Sequence, residues 1–328
     1  MSEPFVGDRI VVRYRLGVGA PADWRPTANP ASHQPSQSDV TGILLDDGDP
    51  LVVERDGTTE SIPRAAITSV RLLSRVTVRN SEIRELQAAA ADAWPGVESA
   101  RIDGWLLRAG GGVSRRANSA VPVEFGAGVD ATTRSAIRAW FADRGLAPLV
   151  AVPDRLLPAG QMQGRPASGE IQVLTRPVDG IGARPGPSVR LDATPGPDWV
   201  RAYFGADIDV AAATAVVSAC AGDVVFASVG DGAGMPVAIG RASVTRSPAG
   251  TAWLGLTALW TADRCRRQGL SSAVIAALAD WGIEHGATHC YLQAEANNRT
   301  AGNWYRRVGF GLHHAYRYVD IAGRDLPA

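Results

Sequence analysis

Short apolar segments separated by turn residues fill the first 75 residues of the chain. They are rich in β-branched and aliphatic side chains, and runs such as DDGDP and RDGTT lie between them. The segments are Ile10 to Tyr14, Val40 to Leu45, Leu51 to Val53, Thr58 to Ile62 and Ile67 to Leu72. Five strands in so short a stretch predict a small all-β barrel over residues 1–75, because closure hides the edges that a short open sheet exposes. The Pro-, Ala- and Ser-rich stretch from Gly17 to Ser38 is predicted to be a loop.

The pattern changes to a mixture of helical and strand periodicity between residues 76 and 180. The predicted helices cover 81–94 and 132–145, and the predicted strands cover 105–109, 117–125, 149–153 and 171–177. The segment from Pro177 to Pro197 contains five prolines and four glycines. It predicts a linker and a domain boundary near residue 180.

From residue 188 onward strands and helices alternate clearly. Three hairpin-linked strands, over 223–230, 236–245 and 251–261, follow a first strand and two helices. The chain then reads as helix 269–285, strand 288–294, helix 299–307 and strand 311–320. This order predicts an α/β (α+β) domain over residues 181–328, with a mixed sheet flanked by helices. Because the last strand alternates its side chains, His313 and His314 are expected on opposite faces.

Composition limits the chemistry. Hydrophobic residues make up 45% of the 328 residues, and 33 basic residues balance 33 acidic ones. The chain therefore lacks the charge excess typical of proteins that bind nucleic acid or anionic membranes. It contains no lysine, which excludes a complete phosphate-binding GxxxxGK[ST] loop and a pyridoxal Schiff base. Three cysteines and an N-terminus without an apolar signal core favour a cytoplasmic protein with no membrane segment.

The most informative segment is a strand, a turn and a helix between Thr257 and Gly286. The turn reads RCRRQGLSS, and Gly269 precedes a helix with Leu270, Val274, Leu278 and Trp281 on one face. The first turn of a helix leaves N–H groups unpaired at its positive dipole end, so the segment predicts a site for a diphosphate. A surface arginine cluster that caps a helix is the alternative interpretation.

A second segment, from Thr288 to Phe310, ends a strand, turns and begins another helix. With the first segment it resembles the GNAT acyl-CoA N-acyltransferase superfamily, which has a [QR]xxGx[GA] turn after its fourth strand and a later NxxAxxxYxxxGF run. The chain has Arg266, Gly269 and Ser271 in the first pattern. In the second pattern it has Asn298, Ala301, Tyr305, Gly309 and Phe310. The resemblance covers residues 188–320 and implies a GNAT fold with acetyl-CoA as the acyl donor.

The resemblance also implies roles for particular residues. The backbone of Leu259, Trp260 and Thr261 would pair with the pantetheine arm, and Asn298 would contact the cofactor or the nearby strand backbone. The diphosphate would bind the turn and helix start, formed by Arg266, Arg267, Gln268, Gly269, Leu270, Ser271 and Ser272. Tyr305 would be the general acid beside the thioester sulfur.

The base that accepts the proton of the attacking amine is harder to assign. Many relatives carry an acidic residue on the fourth strand, whereas WLGLTALWT has none. Glu295 is the candidate, with a solvated carboxylate or a helix N-terminal partner as the alternative. Arg116, Asn118 and Ser119 are candidate substrate contacts, with ordinary turn and cap roles as the alternative.

The middle region, residues 76–180, repeats a strand-strand-helix-strand order without the two motifs. It is interpreted as a degenerate GNAT-like half. The whole chain resembles an actinobacterial fusion group with an N-terminal SH3-type module, some members of which are described as histone acetyltransferase-like. Residues 1–75 contain 8 Arg against 10 Asp and Glu, which disfavours nucleic-acid binding and leaves docking or homodimer formation as roles for the barrel.

Two functions follow from the sequence. The first is an acetyl-CoA-dependent N-acetyltransferase acting on the primary amine of a small molecule or a protein. The second is a non-catalytic acyl-CoA-binding module with a docking barrel. No metal site is predicted, because Gly286 breaks the helix between His285 and His289.

Overall fold

The computed structural model describes residues 4, 6–17, 19–22, 37–73, 78–157, 162, 164–181 and 186–323. Residue contacts divide the chain into two compact units, Met1–Thr77 and Val78–Ala328.

The first unit is an antiparallel sheet. Its strands are β1 (Arg9–Arg15), β2 (Gln37–Asp46), β3 (Leu51–Arg55), β4 (Thr58–Ile62) and β5 (Ile67–Leu72). Alternate residues of β1, namely Ile10, Val12 and Tyr14, are at most 1% exposed and face a common core. The five predicted strands are confirmed. The described pairings give the order β4-β3-β2-β1-β5, so closure into an SH3-like barrel stays a prediction. The predicted loop over 17–38 falls largely outside the described residues.

The second unit contains the remaining described strands and helices. Its strands are β6 (Glu98–Ile102), β7 (Trp105–Ala109), β8 (Ala120–Pro122), β9 (Leu149–Pro153), β10 (Arg165–Pro166), β11 (Ile171–Pro177), β12 (Arg190–Asp192), β13 (Asp223–Gly230), β14 (Pro236–Arg246), β15 (Ala252–Thr261), β16 (His289–Glu295) and β17 (Gly311–Asp320). Its helices are α1 (Asn80–Asp92), α2 (Ala131–Ala142), α3 (Pro197–Phe204), α4 (Val210–Ser218), α5 (Leu270–Glu284) and α6 (Arg299–Arg307). No helix of the described residues is both long and apolar enough to cross a membrane.

One mixed sheet runs through the whole second unit. Its order among the described strands is β12-β13-β14-β15-β16-β11-β17-β9-β8-β7-β6, and β10 also pairs with β17. The first half, residues 78–177, and the second half, residues 186–323, each contribute a strand to the other. β11 of the first half pairs with β16, and β17 of the second half pairs with β9. The predicted boundary near residue 180 therefore lies inside one compact unit, because the exchanged strands continue the sheet across it.

The two parallel strands of the second half separate at their carboxyl ends. β15 and β16 pair only from Trp253 with His289 to Leu256 with Leu292. Beyond Leu256, β15 keeps its pairing with β14, but the register shifts between Ile239 and Arg241. Ala258 has a φ of 50° at this bulge, so the strand bends away from β16. A gap opens between the ends of β15 and β16.

Helix α5 covers the sheet next to this gap. Val274 and Leu278 are fully buried, while Leu270 and Trp281 pack on the same core at partial burial. The predicted apolar face is therefore confirmed. The helix approaches β14 so closely that a side chain at Gly240 would lie 2.7 Å from the Cγ1 atom of Val274. This contact holds α5 close against β14.

The prediction for His313 and His314 is wrong. Val173 of β11 pairs with His314 and Leu174 pairs with Leu312, so His313 is an extra residue in a bulge. The bulge replaces simple alternation, and the Nδ1 atoms of the two rings lie 2.8 Å apart. The Nε2 atom of His314 lies 2.8 Å from the Nε2 atom of Gln87 in α1.

Candidate active site

The start of α5 presents unpaired backbone donors. Among the described residues, none of the N–H groups from Arg267 to Ser272 donates to a protein acceptor. Gly269 has a φ of 80° and precedes the first helical residue, where a side chain would meet nothing within 4 Å. Arg267 also has a positive φ, of 61°. This backbone turns its donors toward open space, which is the arrangement that binds an anion.

The arginines of the turn differ in their partners. Arg264 contacts the carboxylate of Asp231 at 3.2 Å, and Arg266 contacts that of Asp263 at 2.7 Å. Arg267 has no carboxylate partner among the described residues. The local positive charge of the turn therefore comes from the helix end and Arg267 more than from the number of arginines.

The helix start is tied to the end of β15. The hydroxyl groups of Thr261 and Ser271 lie 2.8 Å apart, and the Gln268 amide donates to the backbone oxygen of Arg264 at 3.2 Å. The Ser271 hydroxyl therefore has a partner within the protein. These bonds hold the turn against the strand.

The predicted pantetheine segment borders the gap between the parallel strands. Trp260 and Thr261 pair with β14 through Ile239 and Ala238, and no described pairing joins residues 259–261 to β16. Leu259 packs into the core below α5, and Trp260 contributes to the cores on both sides of the sheet. The edge of β15 that faces the gap is thus open along these three residues.

Asn298 and Tyr305 lie on α6, which begins just after β16. The Asn298 carboxamide oxygen accepts from the N–H of Ala301 at 3.2 Å and caps the helix. The Tyr305 ring is half-buried against Trp304 and Phe310. No hydrogen-bond partner of its hydroxyl is present among the described residues. Burial raises the pKa of this phenol to about 12, so it remains protonated at neutral pH.

Glu295 and Gln293 project from the face of β16 that points away from Tyr305 and α6. The two faces are distinguishable because Leu292 and Ala294 pack into the core that Tyr305 contacts. The Glu295 carboxylate binds the Arg115 guanidinium at 2.9 Å, and each side chain is 45% exposed. The candidate base is therefore held by a cation from the first half. Its predicted alternative, a solvated carboxylate, matches this exposure.

The three predicted substrate residues separate into two groups. Asn118 accepts from the N–H groups of Gly110 and Gly112 at 2.8 and 3.0 Å, and its amide donates to a backbone oxygen at 2.7 Å. Ser119 is fully buried, and its hydroxyl accepts from Arg108 at 2.9 Å. These contacts support the alternative turn role for Asn118 and Ser119. Arg116 instead reaches β16, where its Nε donates to Gln293 at 2.8 Å.

Comparisons with known proteins identify the family of this chain. Residues 80–319 match the family described as "Probable histone acetyltransferase Rv0428c C-terminal". The chain is 37% identical over 322 residues to "Probable histone acetyltransferase Rv0428c" of Mycobacterium tuberculosis, covering 97% of this chain and 96% of that protein. The chain belongs to the Rv0428c-like family of GNAT acetyltransferases.

A solved GNAT structure shows the same fold. The GCN5-related N-acetyltransferase from Kribbella flavida aligns with a TM-score of 0.52 at 16% identity, over 76% of this chain and 98% of that one. The second unit thus has an α+β GNAT-like fold with a mixed sheet, as predicted.

GNAT acetyltransferases use acetyl-CoA, and the residues of this chain fit that molecule. The unpaired N–H groups at the start of α5 suit a diphosphate, and the open edge of β15 suits an amide-containing arm that adds to a sheet. Sequence reasoning missed Arg115, Gln293 and Tyr316, whose hydroxyl donates to Gln293 at 3.3 Å. They come from three separate segments, and no local motif marks them.

Proposed function

We propose that this GNAT enzyme transfers the acetyl group of acetyl-CoA to a primary amine by direct attack. The observation that carries the proposal is the gap between β15 and β16, with unpaired N–H donors at the start of α5 and with α6, which carries Tyr305, directly after β16. The name of the M. tuberculosis relative favours a protein amine as the acceptor, and a small-molecule amine fits the same chemistry.

The cofactor is proposed to bind along one face of the sheet. The N–H groups from Arg267 to Ser272 would hold the diphosphate, with Arg267 adding charge-assisted contacts. The backbone of residues 259–261 would pair with the pantetheine arm. Arg266, Gln268 and Asn298 would support this site by holding the turn and the start of α6, since each has a partner within the protein.

Tyr305 is proposed to stabilise the departing sulfur. Acetyl-CoA supplies the acetyl group as a thioester, and transfer forms the amide C–N bond while the C–S bond breaks. A thiol has a pKa near 8.5, whereas the phenol of Tyr305 has a pKa of about 12. Full proton transfer from this phenol is therefore uphill, and the Oη–H group acts mainly by donating a hydrogen bond to the developing thiolate.

Glu295 is proposed to remove the proton of the attacking amine, directly or through water. An amine with a pKa near 10.4 is almost entirely protonated at pH 7, so a base is required. Glu295 lies on the face of β16 opposite Tyr305, and Arg115 fixes its orientation at 2.9 Å. A base on one face of β16 and a hydrogen-bond donor on the other would let the amine approach from one face and the thiol leave on the other.

Two further proposals concern the rest of the chain. The first half is proposed to be a degenerate GNAT-like half, supported by the reciprocal strand order on either side of β11 and β17. The first unit is proposed to close into an SH3-like barrel that docks a partner or a second copy of this chain. Multi-angle light scattering of the full chain, with and without residues 1–75, would test whether these residues bind a second copy of the chain.

The proposed reaction is tested by incubating the full chain with acetyl-CoA and a panel of amines, polyamines and lysine peptides. Release of the CoA thiol and a mass increase of one acetyl group on the acceptor are the expected results. Titration with desulfo-CoA measures cofactor binding separately. Binding without turnover across the whole panel would contradict the transferase proposal.

A further inference from the structure

The face of the sheet that carries Glu295 also holds a cluster of guanidinium groups around Trp94. Arg116 lies over the Trp94 ring with 5.3 Å between its Cζ atom and the ring centroid, and Arg241 lies over it at 4.5 Å. Arg108 donates to the Trp94 backbone oxygen at 3.3 Å. The indole N–H of Trp94 is buried without an acceptor among the described residues.

Two of the three guanidinium groups, those of Arg241 and Arg108, form hydrogen bonds that stabilise the fold. Arg241 is completely buried and donates to the backbone oxygens of Ala93, Val217 and Ala219. Arg108, which is 4% exposed, donates to Ser119 as well as to Trp94. Burial lowers the pKa of Arg241 to about 10, and the nearby charge of Arg116 acts in the same direction. These two residues hold the ends of helices and turns in place.

Arg116 differs because its terminal nitrogens are not used. Its Nε donates to Gln293, and among the described residues its Nη groups have no partner. Gln293 directly follows Leu292, the last residue of β16 that pairs with β15. The free end of Arg116 is therefore held beside the point where the two strands separate, on the face opposite Tyr305.

Two carboxylates close to this cluster already interact with arginines. Glu295 is bound by Arg115 at 2.9 Å. Asp92 interacts with Arg101 and Arg108, and burial raises its pKa. A half-buried guanidinium without a counter-ion is costly, and a carboxylate matches its planar pair of N–H groups well. The Nη groups of Arg116 can therefore bind one further anionic group.

We propose that the acceptor supplies it: the amine substrate carries a carboxylate in addition to the reacting nitrogen, and this carboxylate binds the Nη groups of Arg116. This inference rests on the proposed acetyl transfer. A free amino acid offers such a group, and so does a peptide lysine with an acidic neighbour. A lysine flanked by cationic residues would be repelled by Arg115 and Arg116.

The test compares matched amines with the full chain and saturating acetyl-CoA. The small-molecule pair is 6-aminohexanoate and hexylamine. The peptide pair has blocked ends and a lysine beside either Glu or Gln, and a third peptide has Arg at that position. We expect kcat/KM about 10- to 100-fold higher for the carboxylate member of at least one pair, as for charge-assisted hydrogen bonds. Comparing the two pairs identifies the source of the carboxylate.

Arg116→Gln should remove this preference by raising KM for the carboxylate amine, while KM for acetyl-CoA stays within about twofold. Arg116→Lys should retain part of the preference, because it keeps the charge but loses the planar pair of donors. Arg317→Gln is the matched control, since Arg317 is exposed and pairs with Glu170 on the surface. Equal use of both members of each pair by the unmodified enzyme would overturn the inference.

Failure of the inference is distinguishable from failure of the proposed function. Turnover of neutral amines without a carboxylate preference rejects the inference alone. If no amine reacts, binding of hexanoate and of the N-acetylated acidic peptide to the protein with desulfo-CoA is measured by calorimetry. Binding that Arg116→Gln weakens at least tenfold would support the carboxylate site, and absence of binding would reject it.

Discussion

The two halves of the second unit each place a helix after the first strand of a parallel pair, yet the two helix starts differ in charge. In the second half, α5 begins at Gly269 with free N–H groups. In the first half, α2 follows β8 and begins after Asp130, whose carboxylate accepts from the N–H of Thr133 at 2.8 Å. The hydroxyl of Thr133 in turn donates to Asp103. One helix start is open to an anion, and the other already holds two carboxylates.

This difference explains why one half alone is expected to bind CoA. A side-chain carboxylate at the start of a helix satisfies the donors that a diphosphate would need and repels its charge. Hydrogen bonds from the backbone and side chain of Thr133 lower the pKa of Asp130, so this carboxylate stays ionised. A similar strand order therefore gives a binding site in one half and a stable cap in the other.

The largest expected effect comes from placing a carboxylate at the start of α5, as the first half has at the start of α2. Gly269→Asp should weaken desulfo-CoA binding by about 100-fold or more, because it adds a negative charge and loses charge-assisted hydrogen bonds. Gly269→Asn is the matched control, since Asn and Asp tolerate a positive φ similarly. Calorimetric titration should give at most about a tenfold loss for the Asn variant. Equal losses for both would show that backbone strain, rather than charge, decides binding.

The second effect concerns Tyr305 on α6. The first half has no counterpart of this residue, because its described residues between β9 and β11 contain no helix. Tyr305→Phe removes the Oη–H group and keeps the ring packing against Phe310. We expect kcat to fall about 10- to 100-fold, with cofactor affinity nearly unchanged. Steady-state kinetics and desulfo-CoA titration measure the two quantities. A large loss of affinity with constant kcat would place Tyr305 in cofactor binding rather than in stabilising the departing thiolate.

The third effect tests whether the two halves unfold together. Burial lowers the pKa of His313 to about 4 and that of His314 well below its usual value. The unfolded chain takes up protons near pH 6.5 and the folded rings do not, so stability is full above about pH 6.5 and falls as the pH drops toward 4. A loss of about 1–3 kcal/mol is expected over this range.

Urea unfolding at several pH values measures this loss. The double variant His313→Gln and His314→Gln should have a smaller pH dependence, whereas His289→Gln, at an exposed position, should resemble the unmodified protein. Because His314 lies on β17 and contacts α1, residues of both halves should lose structure in one transition. Separate acid transitions for the two halves would contradict this coupling.

The smallest effect is expected at the first-half helix start. Asp130→Ala should lower Tm by about 2–4 °C through loss of the cap, and Asp130→Asn should restore most of it. Neither variant should change the stoichiometry of desulfo-CoA binding from one per chain, since Asp103 remains nearby. If Asp130→Ala bound a second equivalent of desulfo-CoA, the Asp130 cap alone would be what prevents the first half from binding the cofactor.

The sequence predicted the parts of the site that depend on neighbouring residues. Gly269 after the arginine turn and Asn298 before α6 mark their helix starts locally, and both helices begin where expected. The exchange of β11 and β17 has no comparable local signal in the sequence, because strand pairing between distant segments depends on the whole sheet. The proline-rich segment after Pro177 therefore suggested a domain boundary within a single unit.

Local sequence patterns also could not predict contacts between distant segments of the chain. Arg115 and Glu295 are separated by 180 positions, and their ion pair depends on how the first half packs against β16. The bulge at His313 inserts one residue into β17, and nothing in the run GLHHAYR distinguishes it from a regular strand. The sequence makes Arg116 a candidate substrate contact with a turn or cap role as the alternative, and its free Nη groups, among the described residues, are evident only from the structure.

The reciprocal donation of β11 and β17 has a practical consequence for work with this protein. A fragment that ends near residue 180 would contain β11 without β16 or β17 as partners, and the complementary fragment would have β17 without β9. Each fragment would expose unpaired strand edges, which invites aggregation. Co-expression of the two fragments, rather than purification of either one, is therefore the way to ask what each half contributes.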